Sequence, residues 1–235
     1  MKNWWCITKS ILLAVIWVFC SVVAAEFVVG MILKWVLSPS DLASPIWSGI
    51  YSVISYAIAI LLIILVPANL SKKWRTSREE IGLTGSPTWT DIGLSPVAFI
   101  ASTILAAGLV ALFQIFPWFN AEQAQNLGFS VYMSGGERVI AFIILVVVAP
   151  IVEELIFRGW LYGQLRKRAN VITSILVTSI LFGIMHFQWN VGINVFALSV
   201  VLCGLREITG TIYAGILTHM IKNGVAFYLL YVLGM

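Results

Sequence analysis

The stretch PIVEELIFRGWLYGQL, Pro150–Leu165, reads as part of a membrane-spanning helix, yet it carries two adjacent glutamates and an arginine. The apolar residues begin further upstream, at Val139, so the whole segment is long enough to cross a bilayer, which takes about 20 apolar residues. Ionisable side chains are costly inside a membrane and are usually found paired, facing the interior of a helix bundle. The stretch therefore predicts a helix that helps to enclose a polar site within a bundle.

The composition of the whole chain agrees with this interpretation. Of the 235 residues, 60% are hydrophobic and only 10% are charged, and the mean hydropathy is +0.99. Soluble domains carry about 25% charged residues, so a soluble protein is excluded. Many of the ten tryptophans lie near the ends of apolar segments, as in the interfacial belts of membrane proteins. The net charge of +4 comes mostly from short loops and gives no indication of nucleic-acid binding.

Seven apolar segments are candidate membrane spans, and the short fifth and sixth segments leave the count between six and eight. They cover residues 11–37, 46–66, 92–116, 139–164, 171–187, 191–206 and 211–233. We therefore predict an all-α fold, a polytopic transmembrane helical bundle of about seven spans. About three spans would form an N-terminal unit, residues 1–130, and about four would form a second unit, residues 131–235, which contains the charged stretch.

The basic residues predict an orientation, because Lys and Arg are enriched in the cytoplasmic loops of membrane proteins. With a cytoplasmic N-terminus, ten basic side chains fall on the inner side and only Lys34 and Arg138 on the outer side. We expect a multi-pass protein of the cell membrane with its C-terminus outside. The ten inner residues are Lys2, Lys9, Lys72, Lys73, Arg75, Arg78, Arg166, Lys167, Arg168 and Arg206.

A few ionisable residues lie well inside the apolar segments, and helical spacing divides those of the charged stretch. Glu154 and Arg158 are four residues apart and share one helix face, so they can pair. Glu153 points about 100° away from its neighbour, which leaves its carboxylate for another partner. The full set comprises Glu26, Glu153, Glu154, Arg158, His186, His219 and Lys222, and it includes both histidines of the chain.

Two further pairs share a helix face in the same way. Phe182 and His186 are four apart in FGIMH, and His219 and Asn223 are four apart in HMIKN. A carboxylate and an imidazole can deprotonate a water, and an amide and a second imidazole can donate hydrogen bonds to an oxyanion. Such groups could hydrolyse an amide bond. The same residue types also suit a structural polar network, the proton relay of a transporter, or a metal site.

Three short motifs carry a resemblance to a known family. EELIFR fits EExxxR, FGIMH fits FxxxH and HMIKN fits HxxxN, in this order and on late apolar segments. They resemble the motifs of the CPBP family of intramembrane proteases, also called the type II CAAX prenyl protease or Abi (bacteriocin-immunity) family. The resemblance covers roughly residues 138–230, whereas the first 130 residues carry no motif that we assign.

The resemblance implies an intramembrane endopeptidase of the glutamate type. Glu153 and His186 would activate the attacking water, and His219 and Asn223 would form the oxyanion hole. No cofactor is favoured, because an asparagine suits an oxyanion donor better than a metal ligand. The alternative is a zinc ion held by Glu153, His186 and His219.

The remaining expectations concern support and partners. Glu154 and Arg158 would orient the site, and Phe182 would pack beside it. The partners would be the lipid bilayer and a membrane-embedded or membrane-associated peptide or protein, with no nucleic acid, and the oligomeric state stays open. In a bacterium, the role would be bacteriocin self-immunity or peptide-signal processing. The alternative functions are a non-catalytic membrane immunity or scaffold protein, and a proton-coupled transporter.

Overall fold

The computed structural model describes residues 4–42, 44–123, 129 and 133–234, and this part of the chain contains helices and no strand. Six helices are long and apolar enough to cross a membrane, and one apolar helix of 14 residues is shorter. The predicted helical membrane bundle is thereby confirmed. The boundary expected between residues 130 and 131 lies outside the described residues, so the division into two domains stays a prediction. The helices are α1 (Trp4–Val36), α2 (Pro45–Leu70), α3 (Trp89–Phe113), α4 (Gly135–Arg166), α5 (Val171–Ile184), α6 (Trp189–Thr209) and α7 (Tyr213–Leu233).

The fourth helix, α4, lies at the centre of the bundle and contacts α1, α2, α5, α6 and α7. Its apolar side chains point in all directions, as expected for a helix that other helices surround. Ile156, Phe157, Trp160 and Leu161 are buried and form a core with residues of α1, α2 and α5. The helix α3 packs on α6 and α7 instead. The charged stretch is therefore carried by a helix that five other helices contact.

The α4 helix is irregular on both sides of its glutamates. Two π-helical stretches, Ile143–Val148 and Leu155–Leu161, flank a short α-helical stretch, Ala149–Glu154. Pro150 lies in this middle stretch and has no N–H to give to the preceding turn. Wide π turns inside α-helices are frequent at functional sites. The two glutamates thus occupy a place where the hydrogen-bond pattern of the helix changes.

A short helix from the loop after α2 packs on the end of α4. This helix runs from Arg78 to Ile81, and Ile81 is buried. A Cβ on Gly159 would lie 2.8 Å from the Ile81 side chain, and one on Gly163 would lie 3.0 Å from the carbonyl oxygen of Glu80. Gly159 and Gly163 are spaced as GxxxG, and their lack of side chains allows the backbone of the loop to pack closely against α4.

The basic loops meet at this same end of the bundle. Lys167 pairs with Glu80 at 2.8 Å, and Arg206 donates to the main-chain oxygen of Glu80 at 3.1 Å. The hydrogen bond from Lys167 lowers the pKa of the Glu80 carboxyl. Arg168 stacks its guanidinium on the ring of Trp74, with 4.4 Å from Cζ to the ring centroid. The positive loops are gathered on one side, as predicted, while the assignment of that side to the cytoplasm stays a prediction.

Candidate active site

Glu154 is the fully buried member of the glutamate pair, and it holds two partners at one oxygen. Its Oε1 accepts a hydrogen bond from Nη1 of Arg158 at 2.8 Å, and Nδ1 of His219 lies 3.1 Å away. Glu154 and Arg158 each have 0% of their surface exposed. The expected ion pair is therefore present. Because the carboxylate oxygen acts as an acceptor, the geometry assigns the proton of His219 to Nδ1 and leaves Nε2 for another partner.

Phe182 covers the ion pair from α5. The guanidinium carbon of Arg158 lies 4.5 Å from the centroid of the Phe182 ring, and Phe157 meets the same ring edge-on at 4.8 Å. The ring of His219 lies 6.0 Å from that of Phe182. A cation over an aromatic face is stabilised electrostatically, so the ring helps to hold the buried charge. The structure thus brings Phe182 beside the site, where the FxxxH motif led us to expect it.

Glu153 is the more accessible of the two glutamates. Its side chain is 21% exposed, and its two oxygens face different helices. The hydroxyl of Tyr56, on α2, donates to Oε1 at 3.3 Å, and Nε2 of His219, on α7, lies 3.8 Å from Oε2. The division that helical spacing predicted is therefore present: one carboxylate pairs with Arg158, and the other turns elsewhere.

His186 is not on the helix that carries its motif. The fifth apolar segment was expected to run to residue 187, but α5 ends at Ile184 and His186 lies in the following turn. Its Nδ1 lies 2.9 Å from the carbonyl oxygen of Phe182, so the proton belongs on Nδ1 and Nε2 is left as an acceptor. Phe187, with φ of 52°, then turns the chain towards α6.

His186 and Glu153 make no direct hydrogen bond in the described part of the chain, where His219 is the imidazole that approaches Glu153. Their joint activation of a water stays a prediction. His186 lies within electrostatic range of both Glu153 and His219, so all three belong to one polar region. The difference follows from the local structure. The imidazole of His186 is bound to the last turn of α5, whereas His219 projects from the middle of α7.

Asn223 ties α7 to the irregular part of α4. Its amide nitrogen donates to the carbonyl oxygen of Leu145 at 2.8 Å. In this π-helical stretch the N–H of Ala149 bonds the carbonyl of Ile144, five residues back. The corresponding donor for Leu145 would be Pro150, which has none. The Asn223 side chain supplies the missing hydrogen bond, and its second N–H is left for another acceptor.

The site also contains residues that sequence reasoning missed. Tyr56 had no signal, because nothing in one sequence relates residue 56 to residue 153. Gly215 precedes His219 by one helical turn, and a Cβ there would lie 3.0 Å from Oε2 of Glu154. Two ionisable residues that the sequence had already marked, Lys222 on α7 and Glu26 on α1, also interact electrostatically with Glu153. The side chain of Glu26 is exposed.

The zinc alternative does not fit the arrangement of these side chains. In the described ranges, no three His, Cys, Asp or Glu side chains come together in a way that could hold a metal ion. Glu153, His186 and His219 each keep an atom that could bind a metal, but they do not converge as three ligands of a structural or catalytic zinc site would.

Comparison with known proteins agrees with the fold and the motifs. Residues 135–225 match the family described as "Type II CAAX prenyl endopeptidase Rce1-like". Over 176 residues, 74% of this chain and 69% of the relative, the sequence is 23% identical to "Putative membrane peptidase YdiL" of Bacillus subtilis (strain 168). No solved structure matches the chain.

The helical membrane bundle and the matched family define a membrane protease. The matched segment 135–225 contains all three motifs, and the family match together with the relative supports the CPBP family that those motifs predicted.

Proposed function

We propose that the protein is an intramembrane endopeptidase of the glutamate type, with Glu153 as the general base. One observation carries the proposal. Glu154 is fully buried and bound to Arg158, whereas the neighbouring Glu153 is 21% exposed. Among the described residues, Glu153 has no cationic partner at hydrogen-bond distance, and the imidazole of His219 lies 3.8 Å away. A general base must reach its water and must be free to accept the proton. Of the two carboxylates, Glu153 meets both conditions.

In the proposed reaction, Glu153 and His186 activate the attacking water. The Nδ1–H of His186 donates a hydrogen bond to the carbonyl oxygen of Phe182. This bond fixes the tautomer and leaves Nε2 as a hydrogen-bond acceptor. A water between this nitrogen and the Glu153 carboxylate would give up its proton to Glu153 as its oxygen attacks the peptide carbonyl. Glu153 would then pass the proton to the leaving amine.

His219 and Asn223 are the proposed donors to the oxyanion. The Nδ1–H of His219 donates a hydrogen bond to Glu154, and this bond orients the ring with Nε2 towards Glu153. In the protonated form, Nε2–H can donate to a developing negative charge. Asn223 uses one amide N–H for Leu145 and keeps a second for the same purpose. Donors that are fixed before the reaction stabilise an oxyanion most effectively.

The proposed substrate is a membrane-embedded or membrane-associated peptide or protein, and the proposed role is bacteriocin self-immunity or peptide-signal processing. The support is the family match over residues 135–225, together with a carboxylate enclosed by apolar helices. A substrate within the bilayer could reach such a group, whereas a soluble peptide would have to leave water.

The test is cleavage of a fluorogenic peptide library by the purified protein in detergent and in liposomes. We expect activity that Glu153→Gln and His186→Ala abolish without loss of the folded state. Glu122→Gln is the matched control, because Glu122 is an exposed carboxylate in the loop after α3. Full biological activity in both site variants would contradict the catalytic proposal and favour a non-catalytic binding protein. Uptake of protons with substrate, without cleavage, would favour the transporter.

A further inference from the structure

The second helix, α2, lies outside the segment that matches the family, yet it contributes a polar group to the proposed base. The hydroxyl of Tyr56 donates to Oε1 of Glu153 at 3.3 Å, across 97 positions of sequence. The ring is partly buried against the apolar core that α1, α2 and α4 form around Phe157 and Ile156. Because the ring is held by packing, the hydroxyl is directed at Glu153 by the fold and not by a flexible chain.

The two oxygens of Glu153 therefore have different surroundings. Oε1 is bonded to Tyr56, whereas Oε2 faces Nε2 of His219 at 3.8 Å, a gap too long for a direct hydrogen bond. A glutamate that lacks an arginine partner keeps considerable rotational freedom. A single hydrogen bond at Oε1 reduces that freedom and turns the other oxygen towards the histidine.

We propose that Tyr56 is a positioning residue for the proposed hydrolysis: its hydroxyl holds Oε1 of Glu153, so that Oε2 is the oxygen that receives the proton of the water. This role rests on the proposed function, because it has a meaning only if Glu153 is the base. It also gives α2 a part in the reaction, beyond enclosing the helices of the matched segment.

The surroundings of Tyr56 supply a matched control. Tyr51 lies on the same helix, and its hydroxyl donates to the main-chain oxygen of Glu26 on α1 at 3.3 Å. The side chain of Glu26 interacts electrostatically with Tyr51, Tyr56 and Glu153. The two tyrosines therefore share a helix, a residue type and a bond length, but only Tyr56 bonds the proposed base.

The experiment compares Tyr56→Phe with Tyr51→Phe on the best substrate of the peptide library, with kcat, KM and the thermal unfolding midpoint measured for each. Loss of a hydrogen bond to a charged group predicts a kcat about tenfold lower for Tyr56→Phe. Its KM is expected to stay within about twofold of wild type, because positioning of the base acts on the chemical step and not on substrate binding. Tyr51→Phe is expected to keep the wild-type kcat.

Three results would overturn the role of Tyr56 in an active enzyme: an unchanged kcat in Tyr56→Phe, a loss that lies entirely in KM, or an equal fall of kcat in Tyr51→Phe. A loss of kcat that follows a lowered unfolding midpoint would likewise assign Tyr56 to packing. Failure of the proposed function has a different signature. In that case the wild-type protein cleaves no peptide of the library, and both proposals fall together.

Discussion

Replacing Glu154 by Gln removes one charge of a buried ion pair while keeping the size of the side chain. Glu154 and Arg158 have 0% exposure, and their charged atoms are 2.8 Å apart. Among the residues that the structure describes, none hydrogen-bonds the buried Nε and Nη2 atoms of Arg158, so the cation depends mainly on Glu154 and on the ring of Phe182. Breaking a buried pair by removing one partner costs about 3–5 kcal/mol. In a protein of this size, each kcal/mol lowers the unfolding midpoint by about 2–4 °C.

Glu154→Gln is therefore expected to lower the unfolding midpoint by about 6–20 °C. Glu153→Gln is the matched comparison, because Glu153 is 21% exposed and is not paired with Arg158, so its loss should change stability by less than about 1 kcal/mol. Thermal unfolding in detergent, followed by tryptophan fluorescence, measures both. Equal unfolding midpoints for Glu154→Gln and Glu153→Gln would refute the conclusion that Glu154 is the structural carboxylate and Glu153 is not.

Three further predictions concern helix packing, pH and metal. Gly215→Ala would bring a Cβ to 3.0 Å from the buried Glu154 and should cost about 1–3 kcal/mol in thermal unfolding, whereas Gly204→Ala, with open space around it, should be neutral or slightly stabilising. The hydrogen bond from Lys167 lowers the pKa of Glu80, so the ionised pair should stabilise the fold at pH values above the ordinary glutamate pKa. The gain should be less than about 1 kcal/mol, since the pair is partly exposed. This stability should be lost as the pH falls through the lowered pKa, so the midpoints of wild type and Glu80→Gln should converge in acid. We expect protein that elemental analysis shows to be free of metal to cleave its substrate at the full rate. Inactivation by a chelator, with recovery on adding zinc, would contradict the expectation that no metal is needed.

The fold was largely predictable because hydropathy alone locates membrane helices. The predicted segment 139–164 lies within α4, and the predicted segment 211–233 differs from α7 by two residues at one end. The interior of α4 was not predictable. Its π-helical stretches depend on contacts such as the hydrogen bond from Asn223 to Leu145, which joins residues 78 positions apart. The early end of α5 at Ile184 was missed for a similar reason, because residues 185–187 are as apolar as the helix apart from His186.

The site was predictable where its contacts lie within one helix. The pairing of Glu154 with Arg158 followed from their spacing of four. Contacts between helices depend on how each helix is rotated and shifted against its neighbours, and one sequence does not contain that information. For this reason the approach of His219 to Glu153 and the contact with Tyr56 both required the structure.

The hydrogen bond from Asn223 to Leu145 couples the choice of residue at position 223 to the choice at position 150. The asparagine is needed for the backbone only because Pro150 leaves a carbonyl without its donor. A related chain with another residue in place of Pro150 would supply that N–H itself. It would have no architectural reason to keep the asparagine, and an amide retained there would have to be kept for its remaining N–H. Comparing relatives that carry the proline with relatives that lack it would therefore show whether the asparagine is kept for its hydrogen bond to the backbone or for its second N–H.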